Sequence, residues 1–142
     1  MVKPNLGFYV QKINQIVTDT EKIGEEMNPS FETIREAIDN DQTTEITEEK
    51  RQEIIQIFTT GTKQYQEMAQ QISQLRPTAR VLGFHKKLET SYKEYIAGCE
   101  DMIQSLSDDI DVEAFDAAEK RQDKASDGIS FAISRMTNLL LK

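Results

Sequence analysis

Residues 6–27 read LGFYVQKINQIVTDTEKIGEEM, and this stretch decides the fold. Its stripe of mostly apolar residues advances by alternating steps of three and four: Leu6, Tyr9, Ile13, Ile16, Thr20, Ile23 and Met27. Side chains with this spacing lie on one face of an α-helix, whereas a β-strand brings every second residue to the same face. The stretch therefore predicts one amphipathic helix of about six turns.

Asn28 and Pro29 follow this stripe directly. Asparagine is a good N-cap, and proline is tolerated in the first turn of a helix but not in its interior. We therefore expect a kink or break near Pro29, giving a short extra helix over 31–38. A kinked continuation of the first helix is the alternative, because Phe31 lies four residues beyond Met27 and nearly continues the stripe.

Three further stripes of the same period follow along the chain. They comprise Ile54, Phe58, Gly61, Tyr65, Met68, Ile72 and Leu75; Val81, His85, Leu88, Tyr92, Tyr95, Cys99, Met102 and Leu106; and Val112, Phe115, Ala118, Gln122, Ala125, Ile129, Ala132, Met136 and Leu140. We expect Thr47 to cap the second long helix, Pro77 to open the third and Asp111 to cap the fourth.

Short polar turns separate these helices, at residues 39–44 and 107–109. Helices joined by short turns run antiparallel to their neighbours, and each needs cover for one apolar stripe. The predicted fold is all-α, an antiparallel up-down-up-down four-helix bundle that forms a single domain over residues 1–142. Gly61, Gly83, Gly98 and Gly128 fall inside predicted helices, where glycine is unfavourable. Gly61 lies on its stripe and Gly128 lies beside Ile129, which favours close approach of neighbouring helices, and a pocket lined by the missing side chains is the alternative.

The charge balance argues against several classes of partner. Seventeen basic and 25 acidic residues give a net charge of −8, which repels the phosphates of nucleic acids and of anionic lipids. No run approaches the roughly 18 apolar residues of a membrane span. A single cysteine, Cys99, excludes an internal disulfide, and the N-terminus lacks the apolar stretch of a signal peptide. We therefore expect a cytoplasmic protein without nucleic-acid or membrane partners.

The residues that most often carry catalysis or bind metals do not combine into a site. His85 and Cys99 lie 14 residues apart, which separates them by about 21 Å along one helix. One histidine cannot supply the paired Glu-x-x-His motifs of a di-iron bundle. The acidic turns lack the glycine of a calcium loop, since Ala114 and Thr44 occupy its position. We expect no enzyme, cofactor or metal, and expect His85 to bond Glu89 or a backbone carbonyl.

Basic residues concentrate at the start of the third long helix. Arg76 and Arg80 flank its expected N-terminus, where free N–H groups can hold an anion, and His85 follows one turn later. This region forms the basis of a secondary hypothesis, a small-ligand or anion-binding bundle that uses Arg76, Arg80 and His85.

The C-terminal turns are apolar on more than one face, beyond what one stripe needs. The residues concerned are Ile133, Met136, Leu139, Leu140 and Leu141. Either they cover the short extra helix, or they form an interface with a protein partner, for example in a homodimer. The leading functional hypothesis is a non-enzymatic interaction module that presents a helix face or groove to a partner helix.

Overall fold

The computed structural model describes residues 5–140, and within that range the long elements are four α-helices and no β-strand occurs. The helices are α1 (Leu6–Asp39), α2 (Glu48–Gln74), α3 (Leu82–Gln104) and α4 (Val112–Leu140). Two short 3₁₀ turns, Thr43–Glu45 and Ala79–Val81, precede α2 and α3. The four helices pack against one another, which confirms the predicted four-helix bundle.

The expected short extra helix after Pro29 is wrong, because α1 continues through this proline to Asp39. An internal proline removes one N–H donor and crowds the carbonyl four residues earlier, at a cost of about 3 kcal/mol. Ile34 is fully buried in a cluster with Phe115, and Phe31 packs against the same cluster. Because burial of each such side chain contributes roughly 1.5–3 kcal/mol, tertiary packing offsets the cost of the proline.

The caps of α2 and α4 are confirmed. The Thr47 side chain accepts a hydrogen bond from the Lys50 N–H at 3.1 Å, and the Asp111 side chain accepts from the Ala114 N–H at 3.0 Å. The start of α3 differs from the prediction: the chain leaves α2 after Gln74, passes through Pro77 and the 3₁₀ turn, and enters α3 only at Leu82. Pro77 therefore does not open the helix.

Glycines let α3 and α4 approach each other closely. A Cβ atom added to Gly98 would lie 2.8 Å from Gln122 Cγ and 3.2 Å from the Gln122 backbone nitrogen. A Cβ atom on Gly128 would clash with the Ser91 side chain. The close approach expected at Gly61 and Gly128 is confirmed, because a Cβ atom on Gly61 would likewise clash with the Met27 side chain, whereas nothing lies within 4 Å of the corresponding point at Gly83.

The core extends along the bundle as two clusters of buried side chains. One surrounds Tyr65, Tyr92 and Leu88, and the other surrounds Ile54, Leu106 and Phe115. From Asn5 to Leu140, no helix combines the length and the apolar character that crossing a membrane requires.

Candidate functional site

The first and last helices leave a groove between them. Within the described residues, α4 packs along α3, α3 along α2 and α2 along α1, whereas the backbones of α1 and α4 do not pack closely. Two adjoining cavities of about 510 and 250 Å³ follow this seam, and Gly24 and Tyr95 line both of them. We call this feature the α1–α4 groove.

The walls of the α1–α4 groove combine apolar and small side chains. The α1 wall includes Ile13, Ile16, Val17, Thr20, Gly24, Met27 and Phe31, and the α4 wall includes Gln122, Ser126, Ile129, Ser130, Ile133 and Ser134. The three serines are four residues apart and therefore share one face of α4. Small residues on a helix surface let a bound group approach the backbone closely.

Tyrosines from α2 and α3 form the floor of the groove. The Tyr65 ring packs edge-on against the rings of Tyr92 and Tyr95, with centroids 6.2 and 5.3 Å away. The Tyr92 hydroxyl lies 2.8 Å from Thr20 Oγ1, which joins the floor to the α1 wall by a hydrogen bond. Burial raises the pKa of all three tyrosines, so their hydroxyls stay neutral at physiological pH.

Contacts between α1 and α4 bound the groove at both ends. At one end, the Tyr9 hydroxyl lies 3.3 Å from Met136 Sδ. At the other, the rings of Phe31 and Phe115 stack with centroids 5.7 Å apart. Arg35 extends from α1 beside this stack and makes ion pairs with Asp116 and Glu119 on α4. The groove therefore has a defined length, set by side chains at each end.

Cys99 lines the inner part of the groove but is poorly suited to act as a nucleophile. Only 7% of the residue is exposed, and burial raises the pKa of its thiol to about 12. The thiolate is the reactive form, so almost none of it exists at neutral pH. Cys99 thus behaves as a small core residue that borders the groove.

His85 lies in the core, and its two ring nitrogens make polar contacts with three groups. Its Nε2 lies 3.1 Å from the Ile72 carbonyl and 3.0 Å from Glu89 Oε1, so this nitrogen carries a proton and donates. Nδ1 lies 2.7 Å from the Tyr9 hydroxyl. The expected bonds to Glu89 and to a backbone carbonyl are therefore confirmed.

The structure does not bring the three residues of the secondary hypothesis to one surface. Arg76 and Arg80 are exposed, and both precede α3, whereas His85 is 2% exposed. Because α3 begins at Leu82 and not at Pro77, both arginines lie before the helix instead of on either side of its first residue, and Arg80 lies in the 3₁₀ turn that leads into it. Anion binding by Arg76 and Arg80 stays a prediction, and the hydrogen bonds of His85 serve the core.

The apolar residues near the C-terminus differ in how deeply they are buried. Met136 is buried in the core of its own chain, and Ile133, Leu139 and Leu140 are partly buried against the same cluster. Ile133 also lines the α1–α4 groove. Leu141 lies outside the described residues. A partner interface at this end stays a prediction, and among these residues the groove itself uses Ile133.

In the described part of the chain, no group of three or more histidine, cysteine, aspartate and glutamate side chains is arranged to hold a metal ion. Comparisons with models of protein families, with curated proteins and with solved structures find no match to this chain. The candidate site therefore depends on the geometry of the α1–α4 groove, which the spacing of the apolar residues does not indicate. The feature of the sequence that could have indicated the groove is the row of serines at positions 126, 130 and 134 on α4.

Proposed function

We propose that the protein is a non-enzymatic interaction module that presents the α1–α4 groove to a helix of a protein partner. The observation that supports this proposal is the separation of α1 from α4 above an apolar floor. In a closed four-helix bundle, the first and last helices cover each other's apolar faces. Here Ile129 and Ile133 stay only partly buried at the seam, and a partner helix would complete their burial.

The dimensions of the groove suit a helix. The α1 wall runs from Ile13 to Phe31, which at 1.5 Å per residue corresponds to about 27 Å. An amphipathic helix of roughly 18 residues has this length and buries one apolar face in such a groove. Gly24 and the serines at 126, 130 and 134 leave room for its backbone to approach both walls.

The chemistry of the groove supports recognition over catalysis in this proposal. Its cysteine is protonated, its tyrosines are neutral, and the chain's one histidine is engaged in the core. An active site needs a nucleophile or a base with a pKa near the working pH, within reach of substrate. We accordingly propose a cytoplasmic binding protein, in keeping with its one buried thiol and its acidic charge.

A bulky side chain in the groove tests this proposal. Ser130 is exposed and lines the α4 wall, so Ser130→Trp should fill the groove without disturbing the core. The matched control is Ser73→Trp, an exposed serine on α2. We expect the wild type and Ser73→Trp to retain the same protein from lysate of the native cells, and Ser130→Trp to lose at least nine-tenths of it.

The readout is quantitative mass spectrometry of the retained proteins, after circular dichroism has shown equal helix content in the three variants. Equal retention by Ser130→Trp and Ser73→Trp would exclude the groove as the binding surface. A homodimer is the alternative partner, through Ile133, Leu139 and Leu140; in that case the tagged chain would retain only its own untagged copy.

A further inference from the structure

The charged residues that line the α1–α4 groove are acidic. Among the described lining residues, the charged ones are Glu21 on α1 and Glu119 and Asp123 on α4. Glu119 is already paired with Arg35 beside the Phe31–Phe115 stack, which bounds one end of the groove. Glu21 lines the larger of the two cavities and Asp123 lines the smaller one, and both residues are exposed.

The outer edge of each wall continues this acidic character. Glu25 and Glu32 are exposed and follow Glu21 on the same face of α1, at steps of four and seven residues. On α4, Asp127 follows Asp123 by four residues and is also exposed. Lys120 also lies on this outer face of α4 and offsets part of the negative charge there. The excess of acidic residues is therefore greatest around Glu21, Glu25 and the two aspartates.

Two of the neighbouring lysines, Lys22 and Lys124, face away from the groove. Lys22 lines the surface between α1 and α2, where Asp19 and Glu26 are its neighbours. The pKa of the Glu94 carboxyl on α3 is lowered chiefly by its hydrogen bond to Arg121, and the charge of Lys124 acts in the same direction, which places Lys124 on the α3 side of α4. These two cations therefore lie on the far sides of α1 and α4, so the acidic residues outnumber Lys120 and leave the edges of the groove net negative.

From this distribution we propose that the occupant of the α1–α4 groove is an amphipathic helix with an apolar face flanked by lysine and arginine. The inference rests on the proposed function and specifies the chemistry of the partner. The apolar floor takes the apolar face, and the acidic edges attract the basic flanks, which raises the association rate and selects against acidic helices. A fatty acid or an anionic lipid would meet the same negative edges, as would a second copy of this acidic chain.

Two designed 18-residue helical peptides test the proposal. They share one apolar face of leucine and alanine at helical spacing, and their flanking positions are all lysine in one and all glutamate in the other. Isothermal titration calorimetry with the full chain should show the lysine peptide binding at least tenfold more tightly than the glutamate peptide. High salt should weaken the binding, because exposed charges are screened.

Charge reversal locates the effect on the protein. Glu21→Lys with Asp123→Lys should weaken binding of the lysine peptide at least tenfold. The control, Glu53→Lys with Glu100→Lys, makes the same change in net charge at exposed sites on α2 and α3 and should leave most of the affinity. Equal weakening by both pairs would overturn the inference, since only general attraction to an acidic protein would remain.

Other outcomes separate this inference from the proposed function. Tight binding of the glutamate peptide that Ser130→Trp abolishes would overturn the basic-partner inference and leave the groove as a docking site. Binding of neither peptide would also overturn the inference. The proposed function fails independently if Ser130→Trp leaves the capture of the native partner unchanged.

Discussion

Raising the pH from about 9 to about 12 is expected to unfold the bundle in one cooperative step. All four tyrosines and the one cysteine of the chain have raised pKa values, chiefly because burial disfavours their charged forms. For the Cys99 thiol the pKa rises from 9.0 to about 12, and for Tyr9 from 10.0 to about 12, with a smaller contribution from Glu89.

The sign of the effect follows from proton binding. Above pH 9 the unfolded chain loses protons from these groups while the folded chain keeps them, so the free energy of unfolding falls as the pH rises. The stabilisation is fully present below the unfolded pKa values. Deprotonation of the five groups in the unfolded chain lowers the free energy of unfolding by up to roughly 7 kcal/mol per pH unit above pH 10. The free energy of unfolding of a typical domain is about 5–15 kcal/mol in total. The midpoint should lie between about pH 10.5 and pH 11.5.

The measurement is a joint titration of tyrosinate absorbance at 295 nm and helical circular dichroism at 222 nm. We expect the two signals to change together in a steep transition. The same chain in concentrated guanidinium is the control, and its tyrosines should titrate gradually near pH 10. Gradual titration near pH 10 with intact helices would contradict the burial of the tyrosine cluster.

Replacing Arg51 is the substitution for which we expect the largest loss of stability. Arg51 lies at the start of α2 and is 7% exposed. Its Nη1 donates to the carbonyls of Leu106 and Ser107, at 2.5 and 2.9 Å, just beyond the end of α3. Its Nη2 pairs with Glu48, whose side chain is 72% exposed. Arg51 thus joins α2 to the turn between α3 and α4.

In Arg51→Met, the stem of the side chain is kept and the donors are lost. The two carbonyls lose their partner, one of them in a buried environment, whereas Glu48 remains solvated and adds little. We expect the free energy of unfolding to fall by about 2–4 kcal/mol, which lowers Tm by on the order of 10 °C. Differential scanning calorimetry at neutral pH measures both quantities.

Arg121→Met provides the matched control for Arg51→Met. Arg121 also donates to two partners, the carboxylates of Glu94 and Asp101, but at the exposed surface between α3 and α4. Exposed ion pairs contribute little to stability, so this variant should melt close to the wild type. Equal losses in the two variants would show that the carbonyl contacts of Arg51 do not stabilise the turn.

The spacing of apolar residues was sufficient to predict the helices, because it reports directly which face of each helix is buried. Tyr9, Ile13, Ile16 and Ile23 of the first stripe are all buried. The error at Pro29 shows the limit of local signals: the cost of a proline is local, but the burial of Ile34 that offsets it depends on α4. The sequence predicted that His85 bonds Glu89 or a backbone carbonyl. It could not predict that this carbonyl belongs to Ile72, because that depends on how α2 packs against α3.

The α1–α4 groove could not be predicted from the stripes, because periodicity gives the direction of a face and not the distance between two helices. That distance depends on side-chain size at the opposing seam. Ala118, Ala125 and Ala132 recur every seven residues on α4, and Gly98 lies against Ala118 and Gln122. These small residues allow α4 to lie close to α3, which leaves the seam with α1 open.

Photo-cross-linking in the native cells tests the central claim most directly. p-Benzoylphenylalanine at Ser130 places a reactive group in the α1–α4 groove, and the same residue at Ser73 places it on the outer face of α2. We expect a covalent adduct with one protein partner from position 130 and none from position 73. An adduct from position 73 alone, or from neither position, would contradict binding of a partner in the α1–α4 groove.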